Sequence, residues 1–241
     1  MSTAELTSPI SPDWSLPNIG TLAQLVHQLG DLPLQRILLK PPPGSAGEAD
    51  LLQCVEVEKV GCELADGTLV VKTMGYHESL IAMLLSFRLL EYLKANPLGM
   101  VAGESGICRL LPGLVRTPDV SFVSIERLKG LTDNELTFCP GAPDLCVEVL
   151  SAGNTRREME RKLHEYFEHG ARLVWYVDPA RRTARAFSSV DNVLEIDVDG
   201  TLSGSDVLPG LTISLRDFFA EYDKHLARLP IQLKPPSPSD A

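Results

Sequence analysis

The sequence predicts an α/β (α+β) fold in which a mixed central sheet is flanked by helices and extended by an N-terminal β-hairpin. Two buried strands, expected at 145–150 and 173–177, are separated by one amphipathic helix. Such a strand–helix–strand unit makes the two strands parallel, because the crossover helix returns the chain to the same end of the sheet. Hairpin patterns before and after this unit add antiparallel strands, so the sheet is mixed.

Length and composition indicate one large globular domain. The 241 residues are 44% hydrophobic and 22% charged, which is ordinary for a folded protein and sufficient for a sizeable core. The segment Met1–Pro12 is polar and no apolar run approaches the length of a membrane span, so a cytoplasmic protein without a membrane partner is expected. Five cysteines at wide, irregular spacing predict neither a disulfide framework nor a zinc site.

The chain is expected to divide into three segments. Residues 1–50, rich in proline, serine and glycine, are typical of an N-terminal arm, with one short helix at Leu22–Leu29. Residues 51–230 carry the regular apolar patterns of the folded domain. The residues 231–241, rich in proline and serine, are predicted to be a disordered tail.

A β-hairpin and a long helix open the folded domain. Alternating apolar residues from Cys54 lead to the turn signal Asp66-Gly67 and then to Leu69–Val71, which predicts two paired strands. Apolar residues at helical spacing follow over Tyr76–Ala95, and Asn96-Pro97 marks the end of this helix.

Further strands and helices complete the predicted order. The crossover helix begins near Asn154 or Thr155, which are good N-cap residues, and ends at Gly170, which suits a left-handed C′ position. The remaining elements are expected to be strands at 107–111 and 120–123, hairpins over 183–215 and a helix over 216–229.

Two carboxylates stand within runs that otherwise predict buried strands. Asp119 follows Pro118 at the start of an apolar strand, and Glu148 lies between Val147 and Val149. An ionised carboxylate among apolar neighbours is unfavourable unless it is paired, hydrogen-bonded or bound to a metal. The pattern therefore fits a metal site, and it also fits buried acids that are satisfied by an arginine or a backbone N–H.

Lys162 is a third polar candidate, on the predicted crossover helix. It shares a helix face with Tyr166 and His169, opposite the apolar stripe that includes Leu163. Taken alone, its position also fits a solvated lysine that pairs with Glu158 four residues earlier.

Four segments in a fixed order resemble the Uma-type family of restriction endonucleases. The segments are Arg116–Val123, Ala142–Ser151, Lys162–Gly170 and Val174–Pro179. The similarity covers most of the chain, from about Leu51 to Ser188. It implies a restriction-endonuclease-like core of the PD-(D/E)xK nuclease superfamily.

The resemblance also implies roles for single residues. Asp119 matches the aspartate of the PD motif and Glu148 the acid of the next strand, so both are expected to bind Mg²⁺, or Mn²⁺ in its place. The carbonyl of Val149 is expected as a further metal ligand. The superfamily often has a lysine two residues after the second acid, where this chain has Leu150, and Lys162 matches the lysine that the family carries on the following helix.

Glu78 is the fourth residue expected in the catalytic site. It corresponds to the acid that some members of the superfamily carry on their first core helix. A glutamate in the first turn of a helix also complements the helix dipole, and this explains its position without catalysis.

The function implied by the resemblance is Mg²⁺-dependent endonuclease activity on the phosphodiester bonds of DNA. The alternative is a catalytically degenerate nuclease fold that acts as a binding or regulatory module. The missing strand lysine and the net charge of −10 favour this alternative, because nonspecific affinity for DNA comes largely from cationic side chains.

Arginines on the crossover helix are the expected contacts to the DNA backbone. They are Arg156, Arg157 and Arg161, followed along the chain by Arg181, Arg182 and Arg185. If both groups face one side, they form a basic strip suited to phosphates, although pairing with neighbouring glutamates explains them as well. Nucleases of this class commonly act as dimers, so a homodimer is expected.

Overall fold

The computed structural model describes residues 20–73, 75–132 and 135–228. Its helices pack on sheets that contain both parallel and antiparallel strands, which confirms the predicted mixed α+β architecture. The polar segment Met1–Pro12 and the tail predicted at 231–241 lie outside the described residues. Within the described ranges, no helix combines the length and the apolar character needed to cross a bilayer.

The secondary structure consists of six α-helices and thirteen strands over the described ranges. The helices are α1 (Leu22–Gln28), α2 (Glu48–Leu52), α3 (Tyr76–Ala95), α4 (Ile125–Leu128), α5 (Arg156–Glu168) and α6 (Leu215–Leu226). The strands are β1 (Cys62–Ala65), β2 (Thr68–Val71), β3 (Gly99–Gly103), β4 (Cys108–Leu111), β5 (Leu114–Arg116), β6 (Val120–Ser124), β7 (Cys139–Pro140), β8 (Leu145–Val149), β9 (Leu173–Asp178), β10 (Thr183–Phe187), β11 (Val193–Ile196), β12 (Thr201–Ser203) and β13 (Thr212–Ser214). Short turns of 3₁₀-helix lie at Leu34–Arg36 and Glu135–Thr137, and a π-helical turn lies at Gln53–Val57.

A six-stranded sheet in the order β11-β10-β9-β8-β6-β3 forms the centre of the fold. Strands β8 and β9 are parallel and are joined by α5, whereas their neighbours pair antiparallel. Every residue of β8 is buried, as its apolar sequence predicts for a central strand. The crossover helix begins after the N-cap Thr155 and ends before Gly170, whose φ of 106° is the expected left-handed value.

A second sheet of five strands, in the order β2-β1-β5-β4-β7, contains the predicted hairpin. The hairpin is therefore part of a larger sheet. The chain leaves this sheet at the end of β5 and enters the six-stranded sheet at β6, so the three residues 117–119 connect the two sheets. Met159 of α5 packs in a core that contains residues of both sheets, among them Val70 of β2 and Val174 of β9.

Helices α3 and α6 cover the other face of the six-stranded sheet. Leu85 of α3 and Phe218 of α6 share a core with Trp175, which lies in the centre of the sheet. The sheet is thus covered on both faces, and this explains why its central strands are apolar throughout.

The strand predicted to begin at Cys54 is absent, because this segment is helical. Helix α2 continues into the π-helical turn at Gln53–Val57. Leu51 and Cys54 are buried at helical spacing, while Val57 is 65% exposed, so the apparent alternation of apolar residues did not mark a strand. The hairpin begins only at Cys62, and its turn at Asp66-Gly67 is confirmed.

The N-terminal residues from 20 onward pack on the rest of the fold. Leu25 and Leu29 enter the core beside α5, and the backbone N–H of Leu38 donates to the carbonyl of Leu69 at 3.0 Å. Ile37 forms a β-bridge with Val70. The outer edge of the hairpin is therefore partly covered within the same chain, and the boundary predicted at residue 50 falls inside α2.

Strand β3 was not predicted, because its sequence contains two glycines and resembles a helix stop. It pairs antiparallel with β6 at the edge of the six-stranded sheet. A Cβ atom at Gly99 would collide with the ring of Phe122 and the carbonyl of Val123, so close packing of the backbone requires glycine there.

We expect Leu85→Ala to lower the free energy of unfolding by about 2–5 kcal/mol, because it removes a fully buried side chain between α3 and the sheet. Met83→Ala is the matched control on the same helix, since Met83 is 68% exposed. Urea denaturation should show that Met83→Ala changes the free energy of unfolding by no more than about 0.5 kcal/mol. Equal losses in the two variants would contradict the described packing of α3.

Candidate active site

Asp119 and Glu148 lie side by side, one just before β6 and the other within β8. The register that pairs Val120 with Val147 places Asp119 next to Glu148, one residue before the start of β6. The backbone N–H of Val149 donates to Asp119 Oδ2 at 2.6 Å, which fixes this carboxylate. Both acids are almost completely buried. The antiparallel pairing of β6 and β8 therefore brings together two residues that are 29 positions apart.

Glu148 points toward α5, where two side chains contact its carboxylate. The ammonium of Lys162 lies 3.3 Å from Glu148 Oε1 and 3.5 Å from Oε2, and the hydroxyl of Tyr166 donates to Oε1 at 2.5 Å. Lys162 is only 2% exposed, so it is not the solvated lysine that its sequence position also allowed. Glu158, the alternative partner of Lys162, instead pairs with Arg36 at 2.8 Å.

Glu63 of strand β1 is a third acid in the same cluster, and the sequence analysis missed it. Its Oε1 lies 2.9 Å from the ammonium of Lys162 and accepts a hydrogen bond from the backbone N–H of Thr117 at 3.1 Å. Its Oε2 lies 3.0 Å from Nη1 of Arg116. Glu63 is an acid inside an otherwise apolar strand, and the rule that singled out Glu148 would have found it.

Lys72, the first residue after β2, reaches the site from the hairpin. Its ammonium lies 2.6 Å from Asp119 Oδ1 and donates to the carbonyl of Thr117 at 2.5 Å. The approach to Oδ1 is off the axis of a hydrogen bond, and Oδ1 accepts no hydrogen bond from the part of the chain that the structure describes. One buried oxygen of Asp119 is thus left without a hydrogen-bond donor.

The two acids that share Lys162 differ in their proton affinity. Burial raises the pKa of Glu148 to about 7, with the opposing effect of Lys162 and the further upward effect of the negative charge of Asp119 already included. Burial also acts on Glu63, but Lys162 and Arg116 together outweigh it and hold the pKa of Glu63 well below its usual value. A second charged neighbour explains the difference in pKa. This neighbour is the guanidinium of Arg116 for Glu63 and the carboxylate of Asp119 for Glu148.

The basic and phenolic partners of Glu148 keep their protons. Burial lowers the pKa of Lys162, but the adjacent Glu148 and Glu63 outweigh this and raise it overall. Burial and the charge of Glu148 raise the pKa of Tyr166 well above its usual value. Both groups therefore act as hydrogen-bond donors to the carboxylate at neutral pH.

The donor set fits a hard cation that needs few protein ligands. The described residues contain no group of three or more His, Cys, Asp or Glu side chains arranged to hold a metal ion. Mg²⁺, however, is commonly held by one or two carboxylates and otherwise keeps its waters. Asp119 Oδ1, which accepts no hydrogen bond from the described residues, and the neighbouring Glu148 have the oxygen chemistry that such an ion prefers.

Glu78 does not join this cluster. Its carboxylate lies over Gly75 at the N-terminus of α3, so that a Cβ atom at Gly75 would collide with it. No hydrogen bond or ion pair links it to Asp119 or Glu148 among the described residues. Glu78 instead lines a separate groove, beside Ser151.

The candidate DNA-binding arginines separate into two environments. Arg161 is mostly buried and pairs with Asp66 at 2.9 Å and Glu165 at 2.6 Å. Arg156 is 92% exposed, and Arg157 is half-exposed and lies 3.9 Å from Asp31. A groove of about 930 Å³ is lined by Arg156, Arg181 and Arg185, together with acidic residues such as Asp178.

Comparisons with known proteins place this arrangement in a family. The model of the Uma2 family, described as "Putative restriction endonuclease", matches residues 49–216, well over half of the chain. A crystal structure of a "putative nuclease belonging to DUF820" from Anabaena variabilis is similar in fold, with a TM-score of 0.58 and 19% sequence identity. The match covers 66% of this chain and 89% of that one. Among proteins with curated functions, none is detectably similar.

The match to the family model spans β1, β6, β8 and α5, the elements that carry the buried acids and Lys162. The structural similarity confirms the restriction-endonuclease-like fold that the sequence predicted. This chain belongs to the Uma2 family of restriction-endonuclease-like proteins.

Proposed function

We propose that this protein is a Mg²⁺-dependent endonuclease that hydrolyses phosphodiester bonds of DNA. The observation that carries the proposal is the buried cluster in which Asp119 lies beside Glu148 and Glu148 contacts Lys162. Among the described residues, Asp119 Oδ1 has an ionic contact with Lys72 but accepts no hydrogen bond. Membership of a nuclease family supports the reaction class. To this reaction class we add the identity of the metal, DNA as the substrate and the roles of single residues.

In this proposal Asp119 and Glu148 hold the metal ion, with the carbonyl of Val149 as a further ligand. A bound Mg²⁺ would polarise the phosphate and make an attacking water more acidic. The chain's own residues fix the ligands, because the Val149 N–H orients Asp119 while Lys162 and Tyr166 orient Glu148. Positions held by such contacts need little rearrangement during the reaction.

Lys162 contributes positive charge from a fixed position. Its ammonium is enclosed by Glu63 and Glu148 and is almost inaccessible to water. We therefore assign to it the alignment of Glu148 and the stabilisation of negative charge that develops on the phosphate, in a site where little water screens its charge. Glu63 and Arg116 belong to the support of this lysine, since Glu63 contacts both.

A catalytically degenerate fold that binds or regulates is the second candidate. It is favoured by the extensive pairing of the buried charges with one another and by the net charge of −10. Such a network can persist for structural reasons alone. Binding of a divalent cation that depends on Asp119 separates the two functions.

The cellular location, the oligomeric state and the contacts to DNA are also part of the proposal. We propose that the protein acts in the cytoplasm as a homodimer and contacts the DNA backbone through exposed arginines. The hairpin edge is a poor dimer contact, because residues 37 and 38 cover part of it. The edge strand β3, where Met100 is 66% exposed, remains uncovered by strands of the same sheet.

Asp119→Asn should remove Mn²⁺ binding in calorimetry and lower plasmid nicking at least about a hundredfold, because a metal ion supplies several kcal/mol to such reactions. Circular dichroism should show a folded variant. Glu126→Gln, at an exposed acid that pairs with Lys129, is the control and should keep both properties. Nicking by Asp119→Asn at the wild-type rate would remove the carboxylate pair from the mechanism.

Glu148 should make stability depend on pH. Its pKa is about 7 in the folded protein and near 4.5 when unfolded, so between these values the folded state binds more protons. The stabilisation is complete below about pH 4.5 and is lost as the pH rises through 7. As the pH rises through this range, the free energy of unfolding of wild type should fall by on the order of 1–3 kcal/mol relative to that of Glu148→Gln. Urea denaturation at several pH values measures this change. Parallel curves for the two proteins would contradict the raised pKa.

Arg156→Gln and Arg161→Gln should behave differently although both lie on α5. Arg156 is exposed, so its loss should weaken DNA binding and reduce the slope of log affinity against log salt by about 1. Arg161 is mostly buried among Asp66 and Glu165, so its loss should lower the free energy of unfolding by about 1–3 kcal/mol instead. Fluorescence anisotropy and urea denaturation measure the two effects, and identical behaviour would refute this division.

A further inference from the structure

The position of Lys72 is not explained by the proposed catalytic roles. This lysine is the first residue after β2 and reaches Asp119, whereas Lys162 of α5 reaches Glu148. Its ammonium lies 2.6 Å from Asp119 Oδ1 and donates to the carbonyl of Thr117 at 2.5 Å. A cationic side chain therefore lies against one of the two proposed metal-binding carboxylates.

Lys72 lies at the oxygen of Asp119 that accepts no hydrogen bond from the described residues. The other oxygen, Oδ2, already accepts the backbone N–H of Val149 at 2.6 Å. Oδ1 accepts no hydrogen bond from any described residue, and its contact with Lys72 is electrostatic. A metal ion that binds Asp119 through Oδ1 must therefore approach the place where the ammonium lies.

The charges of the cluster already balance without a metal ion. Four carboxylates face four cations, namely Glu63, Asp119, Glu148 and Glu165 against Lys72, Lys162, Arg116 and Arg161. The further partner of Arg161, Asp66, is more exposed to water. A divalent cation added to this buried and neutral set would leave two uncompensated positive charges, which is unfavourable where little water is present. Departure of one ammonium would remove half of that excess.

Of the two lysines, Lys72 is the one that is able to leave. Lys162 is held between Glu63 and Glu148 on a helix and is 2% exposed. Lys72 is 10% exposed and is followed by Thr73, which lies outside any helix or strand. Its four-carbon side chain can swing while the backbone stays in place.

We propose that Lys72 is a resident counter-cation that occupies Asp119 in the metal-free protein and moves to the phosphate of an incoming nucleic acid. The transfer of the ammonium from the carboxylate to the phosphate frees Asp119 Oδ1 for the metal ion. The metal and the nucleic acid then bind cooperatively, and each raises the affinity for the other by the same factor. This inference rests on the proposed function, because it requires that Asp119 binds a metal.

The test is titration of Mn²⁺ into the full chain by calorimetry, without nucleic acid. Lys72→Met should bind Mn²⁺ on the order of tenfold or more tightly than wild type, because one positive charge beside the ion has been removed. Lys72→Arg keeps the charge, and Lys129→Met changes a lysine that is 63% exposed and pairs with Glu126. Both controls should bind Mn²⁺ as wild type does. Equal or weaker binding by Lys72→Met would overturn the inference.

Thermal denaturation with and without Mn²⁺ shows whether the variant folds and whether it binds the ion. Mn²⁺ should raise the melting temperature of Lys72→Met more than that of wild type, and Lys72→Gln serves as a smaller replacement if the methionine variant does not fold. A shift in both variants that is no larger than in wild type counts against the inference.

A second titration includes a short DNA duplex with phosphorothioate linkages, which resist cleavage. The duplex should tighten Mn²⁺ binding by wild type on the order of tenfold and should change binding by Lys72→Met little. Asp119→Asn with the same duplex corrects for ions bound by the DNA itself. An equal gain in wild type and Lys72→Met would refute the role of Lys72.

The outcomes also separate this inference from the proposed function. If Mn²⁺ binding depends on Asp119 but is the same in wild type and Lys72→Met, the metal site stands and the inference fails. If neither protein binds Mn²⁺, with or without the duplex, the proposed function fails and the inference fails with it.

Discussion

Three carboxylates from two different sheets share one buried space, and the rest of the fold compensates for their burial. Glu63 comes from the five-stranded sheet and Glu148 from the six-stranded sheet, while Asp119 lies on the connection between the two. Buried anions of this kind persist only with close cationic partners. The hairpin supplies Lys72 and the crossover helix supplies Lys162, so the positions of both elements follow from the same electrostatic requirement.

Arg36, which lies in the N-terminal segment, also takes part in compensating the buried charges. Arg36 is buried and donates to both carboxylate oxygens of Glu158 at 2.8 Å, to the carbonyl of Gly153 at 3.0 Å and to that of Val71 at 2.9 Å. One guanidinium thus joins the end of β2, the loop before α5 and α5 itself. These are the elements that carry Lys72 and Lys162, so a residue outside the predicted main domain helps to place the lysines of the site.

The same network supports either a catalytic or a structural interpretation, and its details show where they differ. Glu63 is fully compensated, since Lys162, Arg116 and the Thr117 N–H all contact it. Asp119 Oδ1 lies 2.6 Å from Lys72 but accepts no hydrogen bond within the described ranges, and burial raises the pKa of Glu148 toward neutrality. Asp119 and Glu148 are therefore less strongly stabilised as anions than Glu63, and the proposed metal ion would stabilise both. Their neighbouring positions, just before β6 and within β8, suit the two oxygen ligands of the proposed metal ion.

Much of this architecture could be predicted from local patterns in the chain. The long helix α3, the parallel pair β8 and β9 and the crossover helix follow from periodicity, caps and turn residues, which depend on near neighbours. Asp119 and Glu148 were identified because a carboxylate inside an apolar strand is unusual wherever it occurs. The π-helical turn at Gln53–Val57 was not predicted, because short apolar runs fit a helix and a strand equally well.

The partners of these acids could be recognised only in the folded chain. Lys162 reaches Glu63 across 99 positions, Lys72 reaches the carbonyl of Thr117 across 45, and Arg36 reaches Glu158 across 122. No periodicity relates residues so far apart, since their contacts depend on the pairing of strands into two sheets and on the packing of α5 between them. The sequence determined which side chains are unusual in their local setting. The tertiary structure decided which of them meet, because only packing brings distant charges into one poorly hydrated space where each must find a partner.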